Sequence, residues 1–467
     1  MNPTSNKTFL PLPGGLQIQV PDSLDVITTY VLLEQGDWFE DEIKFVRKIL
    51  RSDEKIIDIG ASYGTYTLTM ARAVGEGGAL WAFEPVSSTA QCLRASMEAN
   101  GLGNVVLEQC ALSSAPGKAR LALNMSSELN AITKNAVAGA SEEVPVSTLD
   151  ECMERFGWKG IDFLKIDAEG EEENILRGGA RFFAVESPLI EFEYKSGAEV
   201  NVGLVEAFAR LGFSSYRLVP GLDLLIPFPA GTVADESLLN LFCCKPDRAE
   251  EWDRRGILVR ASDLDSARQK AIPLQSVHEW RNALLKVAWC QSLLPVWSEA
   301  LLQNPCPELE SALALFFFSH DNGVPHALRV VAMERGLEEL RTLCSKNSEG
   351  LFECTRARVA REFGLRREAA AGLAALANRI VSEKQVDHRW PFLLPLAETN
   401  LPPEIAGQWV AILSAVLEGL ESTASFSSFY SGQSSRGRLE LLQKIGIQSP
   451  EMSRRLGLLN ARFGPKA

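Results

Sequence analysis

The sequence predicts an α/β protein with a doubly wound, mainly parallel sheet, followed by an all-α second domain. Up to about residue 246, short apolar runs alternate with segments of helical spacing, and this alternation is typical of such a sheet. From about residue 273 the strand-like runs stop and helical spacing continues. The chain has 467 residues, of which 46% are apolar and 23% charged, so it is globular and long enough for two or three domains.

Seven short apolar segments predict the strands of the sheet. Their continuous apolar character favours strands that are covered on both faces. The segment between the last two contains no helix long enough for a crossover, so we expect a closing antiparallel hairpin. The seven segments are residues 55–60, 79–84, 104–109, 162–167, 188–193, 215–219 and 239–244.

Helical spacing fills several of the intervals between these strands, at residues 65–74, 87–100 and 171–183. Before the first of them, residues 15–22 resemble a strand and residues 39–51 a helix, which together predict an N-terminal cap. We therefore assign residues 1–246, with this cap, to the first domain.

The remainder divides into a linker and a helical domain. Residues 247–272 are dense in charge and weakly apolar, which predicts a linker, and residues 273–467 carry the helical segments. Within them, residues 361–380 resemble the helix pair of a tetratricopeptide-like repeat, but no partner lies at the ~34-residue period of such arrays. A single helical hairpin is the simpler interpretation, and tetratricopeptide-like character stays open.

Charge and composition exclude several classes of partner. The net charge is −13, and residues 1–246 account for −14 of it against +1 for residues 247–467. An acidic first domain argues against nucleic acid as a partner, because phosphate contacts need clustered cations. No apolar run reaches the ~20 residues of a membrane span, and the N-terminus lacks a signal-peptide pattern. Nine cysteines without CxxC spacing indicate reduced thiols, so we expect a cytoplasmic protein.

The motif IIDIGASYGTYTLTMA predicts a nucleoside site. A strand ends near Asp58 and turns through Gly60 and Gly64 into a helix, where glycines permit close backbone approach and the helix N-terminus favours a ligand. The next strand ends at Glu84, 26 residues after Asp58, and this carboxylate can accept hydrogen bonds from ribose hydroxyls. The spacing is not that of the GxGxxG fingerprint, and the charge of Asp58 suits a cationic or amine-bearing ligand such as S-adenosylmethionine.

Several segments in this order resemble the FkbM family of S-adenosylmethionine-dependent methyltransferases: IIDIGASYGTYT, AFEP, VSTLDE, DFLKIDAEGEEENILRGGARFF and LIEFE. The resemblance covers residues 30–246, and its KIDAEG block is the most specific part. It implies a class I methyltransferase (Rossmann-like) sheet and, usually, O-methylation of a sugar or another small hydroxylated metabolite. We therefore expect transfer of the methyl group of S-adenosylmethionine to a hydroxyl of a sugar, a glycan precursor or a similar small metabolite. The chain departs from the family at Ser62, where Asn is most frequent, and at Gly178 and Gly179, where one glycine is usual.

The resemblance also implies which residues contact the cofactor. Glu84 would contact the ribose, and the backbone at Cys110 and Ala111 would lie beside the adenine. The glycine loop would comprise Asp58, Gly60, Ala61, Ser62 and Gly64.

The sequence offers carboxylates and a lysine as candidate bases for removing the proton of a hydroxyl acceptor. The four histidines (278, 320, 326 and 388) all lie in the helical half. We therefore choose Asp167 first and Lys165 second; the two side chains project to the same side of one strand. The carboxylates Glu169, Glu191 and Glu193 are candidate orienting groups. Carboxylate oxygens could also hold a divalent metal, but no His or Cys ligand set is near, and we predict no metal site.

The acidic run after Asp167 has two interpretations. Glu172 matches the second acid of the family pattern, whereas Glu171 and Glu173 are typical of a solvated first turn that favours the helix dipole.

Two other functions stay open. One is methylation of a nitrogen on a small molecule or a protein. The other is an adaptor role, in which the helical domain binds a protein partner and the methyltransferase half is a non-catalytic scaffold.

Overall fold

The computed structural model describes residues 6–122, 141–196, 199–274, 279–347, 350–399, 401 and 408–464. These residues form two compact units. The first comprises Met1–Leu218, Pro227–Val233 and Leu238–Leu258, and the second Val219–Ile226, Ala234–Ser237 and Val259–Ala467.

The strands in chain order are β1 (Lys7–Leu12), β2 (Leu16–Pro21), β3 (Lys55–Ile59), β4 (Ala79–Phe83), β5 (Val105–Glu108), β6 (Ala111–Leu112), β7 (Gly117–Ala122), β8 (Ser141–Ser147), β9 (Phe163–Ile166), β10 (Leu189–Glu193), β11 (Lys195–Ser196), β12 (Glu199–Val200), β13 (Ser214–Val219), β14 (Leu224–Pro227) and β15 (Asn240–Cys244). Each of the seven predicted sheet segments matches one of them to within one residue at either end.

The helices of the first unit are α1 (Ile27–Gln35), α2 (Asp41–Ile49), α3 (Thr65–Val74), α4 (Ser87–Ala99), α5 (Leu149–Phe156), α6 (Glu172–Gly178), α7 (Ala180–Val185), α8 (Val202–Arg210) and α9 (Pro246–Arg254). The structure divides the single helical segment predicted at 171–183 into α6 and α7, because the backbone leaves the helical region at Gly179. A Cβ at this position would lie 2.8–2.9 Å from Leu149 and Phe183, so glycine fits the break without a clash.

The seven predicted strands lie in one sheet in the order β13-β15-β10-β9-β3-β4-β5. The five strands from β10 to β5 pair in parallel, and β15 pairs antiparallel with both β10 and β13. The predicted antiparallel pairing of the last two strands is therefore present, with β14 in the segment between them. This sheet and the helical second unit confirm the predicted fold class.

The sheet positions the site through its connections. The chain leaves β3 toward β4 on one side and reaches β9 on the other, so the carboxyl ends of β3, β4 and β9 enclose a crevice at a reversal of strand order. A three-stranded sheet in the order β6-β8-β7 follows β5, and the hairpin of β1 and β2 precedes α1 and α2.

The second unit is built from helices: α10 (Ala261–Arg268), α11 (Glu279–Leu284), α12 (Leu294–Gln303), α13 (Pro307–Ser319), α14 (His326–Lys346), α15 (Phe352–Glu362), α16 (Arg366–Glu383), α17 (Trp409–Ala424), α18 (Ser428–Ser431), α19 (Gln433–Ile445) and α20 (Pro450–Phe463). Its core contains Trp280, Trp289 and Trp297, which are buried against one another and Phe392. Every helix in the described ranges is too short or too polar to pass through a bilayer.

Residues 247–272, predicted as a linker, include most of α9 and all of α10. The segment resembling a tetratricopeptide-like helix pair forms the end of α15 and most of α16, joined at Gly364, whose φ is 90°. The domain boundaries and a protein partner for residues 273–467 stay predictions.

Candidate functional site

The glycine loop, residues 60–64, is held by backbone contacts at the carboxyl end of β3. The N–H groups of Gly60 and Ala61 both donate to the carbonyl of Phe83 at 3.0 Å, which ties the loop to the end of β4. Gly60 has a φ of 84°, and a Cβ there would lie 1.7 Å from the carbonyl oxygen of Asp167. Only glycine therefore lets the ends of β3 and β9 approach so closely.

The loop enters α3 at Gly64, which has a φ of 101°. A Cβ at this position would lie 2.5 Å from Cδ1 of Leu93 on α4. The second glycine of the motif is thus required both by its backbone conformation and by the packing of α4.

Glu84, at the end of β4, is buried and fixed by two backbone donors. Its Oε2 accepts from the N–H of Ser62 at 3.0 Å, and its Oε1 accepts from the N–H of Val86 at 2.8 Å. These two bonds hold the carboxylate between the glycine loop and the start of α4, where Glu84 lines the pocket described next.

A pocket of about 730 Å³, open solvent at its mouth included, lies at this edge of the sheet. Six predicted site residues line it: Gly60, Ser62, Glu84, Cys110, Ala111 and Asp167. The other four, Asp58, Ala61, Gly64 and Lys165, lie outside its lining. The pocket is also lined by Val86, Leu112 and Leu121, which the sequence did not single out.

The wall near β5 and β6 is apolar. Ala111 packs in a buried cluster with Val86, Leu121 and Val144, which come from three different segments of the chain. Burial, with the neighbouring Cys152, raises the pKa of the Cys110 thiol to about 12, so this side chain is a neutral thiol.

Asp58 is more deeply buried than its place in the glycine motif suggests. It is fully buried in β3, and its Oδ2 accepts from the hydroxyl of Thr67 at 2.5 Å, while Oδ1 has no hydrogen-bond partner in the structure. Burial raises the pKa of this carboxyl, and the charge of Lys165 opposes that rise.

Lys165 and Asp167 form an ion pair at the end of β9, with 2.6 Å between Nζ and Oδ2. The lysine side chain is 5% exposed, whereas that of Asp167 is 34% exposed and lines the pocket. Burial opposes the charge of Lys165, but the carboxyl groups of Asp167, Glu191, Asp58 and Glu40 outweigh it and raise the pKa of the amine. Lys165 is therefore a cation at neutral pH.

Three charged residues occupy equivalent positions on adjacent strands. Asp58 of β3 pairs in register with Lys165 of β9, which pairs with Glu191 of β10. All three are at least 96% buried. Glu191 also receives a contact from α3, because the hydroxyl of Tyr66 lies 2.8 Å from its Oε1.

The residues of this site fall within a recognised sequence family. Residues 58–214 match the family model described as the methyltransferase FkbM domain. This chain carries an FkbM methyltransferase domain. It is an S-adenosylmethionine-dependent methyltransferase.

Among characterised proteins, the FkbM domain is similar to Methyltransferase 1 of Beauveria bassiana (strain ARSEF 2860), with 27% identity covering 35% of this chain and 74% of the relative. Among solved structures, an S-adenosylmethionine-dependent O-methyltransferase of Thermotoga maritima is 13% identical, covering 51% of this chain and 77% of that one, with a TM-score of 0.26. TYW2 of M. jannaschii in complex with AdoMet is 11% identical, covering 52% and 87%, with a TM-score of 0.29.

The acid loop of the FkbM domain, residues 167–172, is organised by its own last residue. Glu172 is 2% exposed, and its Oε1 accepts from the N–H groups of Ala168 at 3.0 Å and Gly170 at 3.1 Å. Glu169 has a φ of 50° within this turn. The Glu172 carboxylate thus fixes the loop backbone beside the pocket.

One further acid lies within this loop, and another interacts with it. Glu171 lines the pocket and accepts from Ser113 Oγ and Asn174 Nδ2, both at 2.8 Å, so it is not a merely solvated residue of a helix turn. Burial, followed by the charges of Asp167 and Glu169, raises the pKa of Glu193 well above that of an ordinary carboxyl.

Sequence reasoning missed the contributions of α3 and of the N-terminal cap. The Tyr66 hydroxyl lies 2.6 Å from Oε2 of Glu40, the residue that precedes α2, as well as beside Glu191. No local pattern marks either residue, since Tyr66 follows the glycine loop as an ordinary helical position.

Other predicted or candidate groups lie elsewhere. His320, His326 and His388 belong to the second unit, and His278 lies outside the described residues. No group of three or more His, Cys, Asp or Glu side chains is arranged as a metal site within the described ranges.

Proposed function

We propose that the FkbM domain transfers the methyl group of S-adenosylmethionine to a hydroxyl of a sugar or a similar small, uncharged metabolite. The observation that carries this proposal is the Asp167 carboxylate, which lines the pocket while it is ion-paired with a buried lysine. A carboxylate held at the carboxyl edge of the sheet is placed as a base for a hydroxyl acceptor.

The residues of the pocket fit the cofactor. The positive-φ turn at Gly60 brings backbone within reach of a ligand, and the buried Glu84 carboxylate lines the pocket beside it, where it would accept from ribose hydroxyls. Cys110 and Ala111 would lie beside the adenine, against the apolar wall that includes Leu121.

Asp58 has a less direct role in this proposal. It lies behind the glycine loop and outside the pocket lining, with its Oδ2 bonded to Thr67. Its negative charge would favour the cationic groups of the cofactor through the loop, and its side chain would hold the end of β3 against α3.

The bound cofactor would supply an electrophilic methyl group, and the residues of this chain would align the acceptor and take its proton. Asp167 is the proposed base, and accepts the hydroxyl proton as the new C–O bond forms. Lys165 cannot take that proton while it remains an ammonium ion, so we assign it to holding the Asp167 carboxylate in place. A positioned base contributes a factor of roughly 10²–10⁴ to the rate.

The charge of the site favours an acceptor without phosphate. Asp167, Glu169 and Glu171 all line the pocket, and residues 1–246 carry a net charge of −14. A phosphorylated sugar would bring further negative charge to this acidic edge. A neutral polyhydroxylated acceptor avoids that repulsion.

Binding and transfer are tested separately. Calorimetry with S-adenosylhomocysteine should give one site per chain, and absence of binding would contradict the assignment of the pocket.

Methyl-labelled S-adenosylmethionine is then offered with pairs of sugars that differ only in a phosphate group. Labelling of the neutral member at oxygen, read by NMR of the product, is the expected result. Labelling confined to amines would contradict hydroxyl transfer, and preference for the phosphorylated member would contradict the proposed substrate class.

A further inference from the structure

A buried tyrosine lies between two carboxyl groups on the side of β10 that α3 covers. The Tyr66 hydroxyl is 2.6 Å from Oε2 of Glu40 and 2.8 Å from Oε1 of Glu191. Tyr66 is 5% exposed and Glu191 is fully buried. The proposed methyl transfer gives no role to these three residues, which we call the tyrosine–carboxyl cluster.

The two contacts require a proton on one of the carboxyl groups. A phenol donates a single hydrogen, so it can satisfy one ionised carboxylate, and the second contact then joins two oxygens that both lack a hydrogen to share. Burial raises the pKa of Tyr66, which keeps the phenol protonated. Burial also raises the pKa of Glu40 and, with the Glu40 charge adding to it, that of Glu191 to about 8.

The cluster is connected to the pocket by one cation. Lys165 is the register neighbour of Glu191, and its Nζ lies 4.6 Å from the centre of the Tyr66 ring. The same Nζ is 2.6 Å from the Asp167 carboxylate that lines the pocket. Lys165 therefore contacts both the proposed base and the tyrosine that bonds Glu191.

Several carboxyl groups interact with the ammonium group of Lys165 at the same time. Asp58 and Asp167 are on the flanking positions of β3 and β9, and the segment that begins α2 brings two more carboxyl groups toward Glu191. The ionisable groups that interact with Glu191 or Lys165 are Glu40, Glu42, Asp58, Tyr66, Asp167 and Glu193. A proton held on Glu191 removes one of the competing anions, and the ammonium group then interacts more strongly with Asp167.

We propose that Tyr66 and Glu191 are positioning residues for methyl transfer: the Tyr66 hydroxyl donates to the Glu40 carboxylate and its oxygen accepts from protonated Glu191, and neutral Glu191 leaves Lys165 to hold the Asp167 carboxylate at the pocket. The second half of this inference rests on the proposed function, because it needs Asp167 as the base. The first half, a proton held in the cluster, does not.

The held proton makes the stability of the fold depend on pH. Between the ordinary carboxyl pKa of 4.5 and about 8, the folded chain keeps a proton on Glu191 that the unfolded chain releases. The folded state binds more protons in that window, so its stability falls as pH rises from about 4.5 to about 8. One proton corresponds to as much as a tenfold change in the folding equilibrium per pH unit.

The first experiment measures denaturant unfolding of the full chain between about pH 5 and 9 for the natural protein and Glu191→Gln. The glutamine cannot ionise, so the contribution of Glu191 should vanish and the stability profile should become flatter. The matched control is Glu186→Gln, which changes another buried carboxylate, one that accepts from the N–H of Ile161, and should keep the natural slope. An unchanged slope in Glu191→Gln would overturn the inference, whether or not any acceptor is found.

A second variant keeps the test usable if Glu191→Gln does not fold. Tyr66→Phe removes the oxygen that accepts from protonated Glu191, so the protonated form should be less favoured and the stability loss should move to lower pH. Tyr216→Phe removes a buried phenol of β13 in the same unit and should leave the profile unmoved. Equal profiles for Tyr66→Phe and the natural protein would contradict retention of the proton by Tyr66.

The positioning role is tested by measuring rates of methyl transfer from labelled S-adenosylmethionine. The acceptor is the neutral sugar identified by the screen of sugar pairs. Tyr66→Phe should lower kcat about tenfold, shift the pH–rate profile, and change the Kd for S-adenosylhomocysteine less than threefold. In an Asp167→Asn background the same change should have little further effect, because its action passes through Asp167. An equal loss in both backgrounds would indicate a structural effect and overturn the positioning role.

Discussion

At the glycine-loop end of the pocket, the hydrogen bonds are donated by backbone N–H groups. At the Asp167 end, the contacts are ion pairs between charged side chains. Gly60 and Ala61 donate to the Phe83 carbonyl, and Glu84 accepts two backbone N–H groups. At the other end, Asp167 is held by Lys165, a residue of its own strand that is surrounded by acids of three other elements. The first end depends on local conformation and the second on how distant elements pack.

The largest expected effect of a single substitution is at Gly60. A Cβ there would lie 1.7 Å from the Asp167 carbonyl oxygen, which is backbone and cannot turn away. We expect Gly60→Ala to displace the ends of β3 and β9 and to weaken S-adenosylhomocysteine binding at least 100-fold in calorimetry. The displacement would affect both ends of the pocket.

A matched control separates the clash from the backbone conformation. Gly75 has a φ of 67° and a ψ of −170° with no atom within 4 Å of a Cβ, so Gly75→Ala carries only the cost of that backbone conformation, roughly 1–3 kcal/mol. It should lower the thermal midpoint while it preserves binding. Similar binding losses in both variants would show that conformation alone, not the contact between the two loops, governs Gly60.

The second largest effect is expected for Asp167→Asn, which acts on the acid end alone. The amide retains the shape of the side chain but cannot take the proton of a hydroxyl, so kcat should fall by a factor of about 10²–10⁴. The glycine-loop end is untouched, and the Kd for S-adenosylhomocysteine should change less than threefold. The measurement is steady-state transfer from labelled S-adenosylmethionine, together with calorimetry.

The variant Asp167→Glu distinguishes charge from position at the same site. It retains a carboxylate but moves it by one methylene, and we expect a rate between those of the natural chain and Asp167→Asn. A near-normal rate for Asp167→Asn would show that Asp167 is not the base. The ion pair at the acid end would then contribute to the structure of the pocket and not to catalysis.

The same difference between the two ends explains what the sequence could predict. The glycine loop, Glu84 and the Cys110–Ala111 contact belong to motifs within a few residues of a strand end, and the structure brings most of them to one pocket. The strands were predictable for the same reason, because each is a local apolar run. The depth of Asp58, fully buried and bonded to Thr67, was not predictable from the motif.

The acid end could be predicted only in part. Lys165 and Asp167 are two residues apart, so the alternation of a strand places them together. Tyr66 and Glu191 are 125 positions apart, and Tyr66 and Glu40 are 26 apart. Their meeting depends on the packing of α2 and α3 on β10, which no single stretch of sequence encodes. The double glycine has a similar origin, since a Cβ at Gly178 would lie 2.1 Å from the Ser113 carbonyl oxygen.

The smallest effect is expected at Ser62, where the chain departs from the family. Ser62 has a φ of 48°, a left-handed conformation that asparagine adopts more readily than serine. Its N–H donates to Glu84, and its hydroxyl is buried without a hydrogen-bond partner in the structure. Ser62→Asn should therefore stabilise the loop by about 0.5 kcal/mol, or a rise of roughly 1–2 °C in the thermal midpoint.

The size of this shift tests whether backbone conformation governs the glycine-loop end. Binding of S-adenosylhomocysteine should change less than threefold, because the N–H bond to Glu84 is retained. Ser62→Ala is the matched control, since it also removes the unpartnered hydroxyl but has no preference for the left-handed region. If both variants raised the midpoint equally, relief of the buried hydroxyl would be the cause. A rise of the thermal midpoint in Ser62→Asn alone would show that the left-handed backbone conformation of residue 62 limits the stability of the loop.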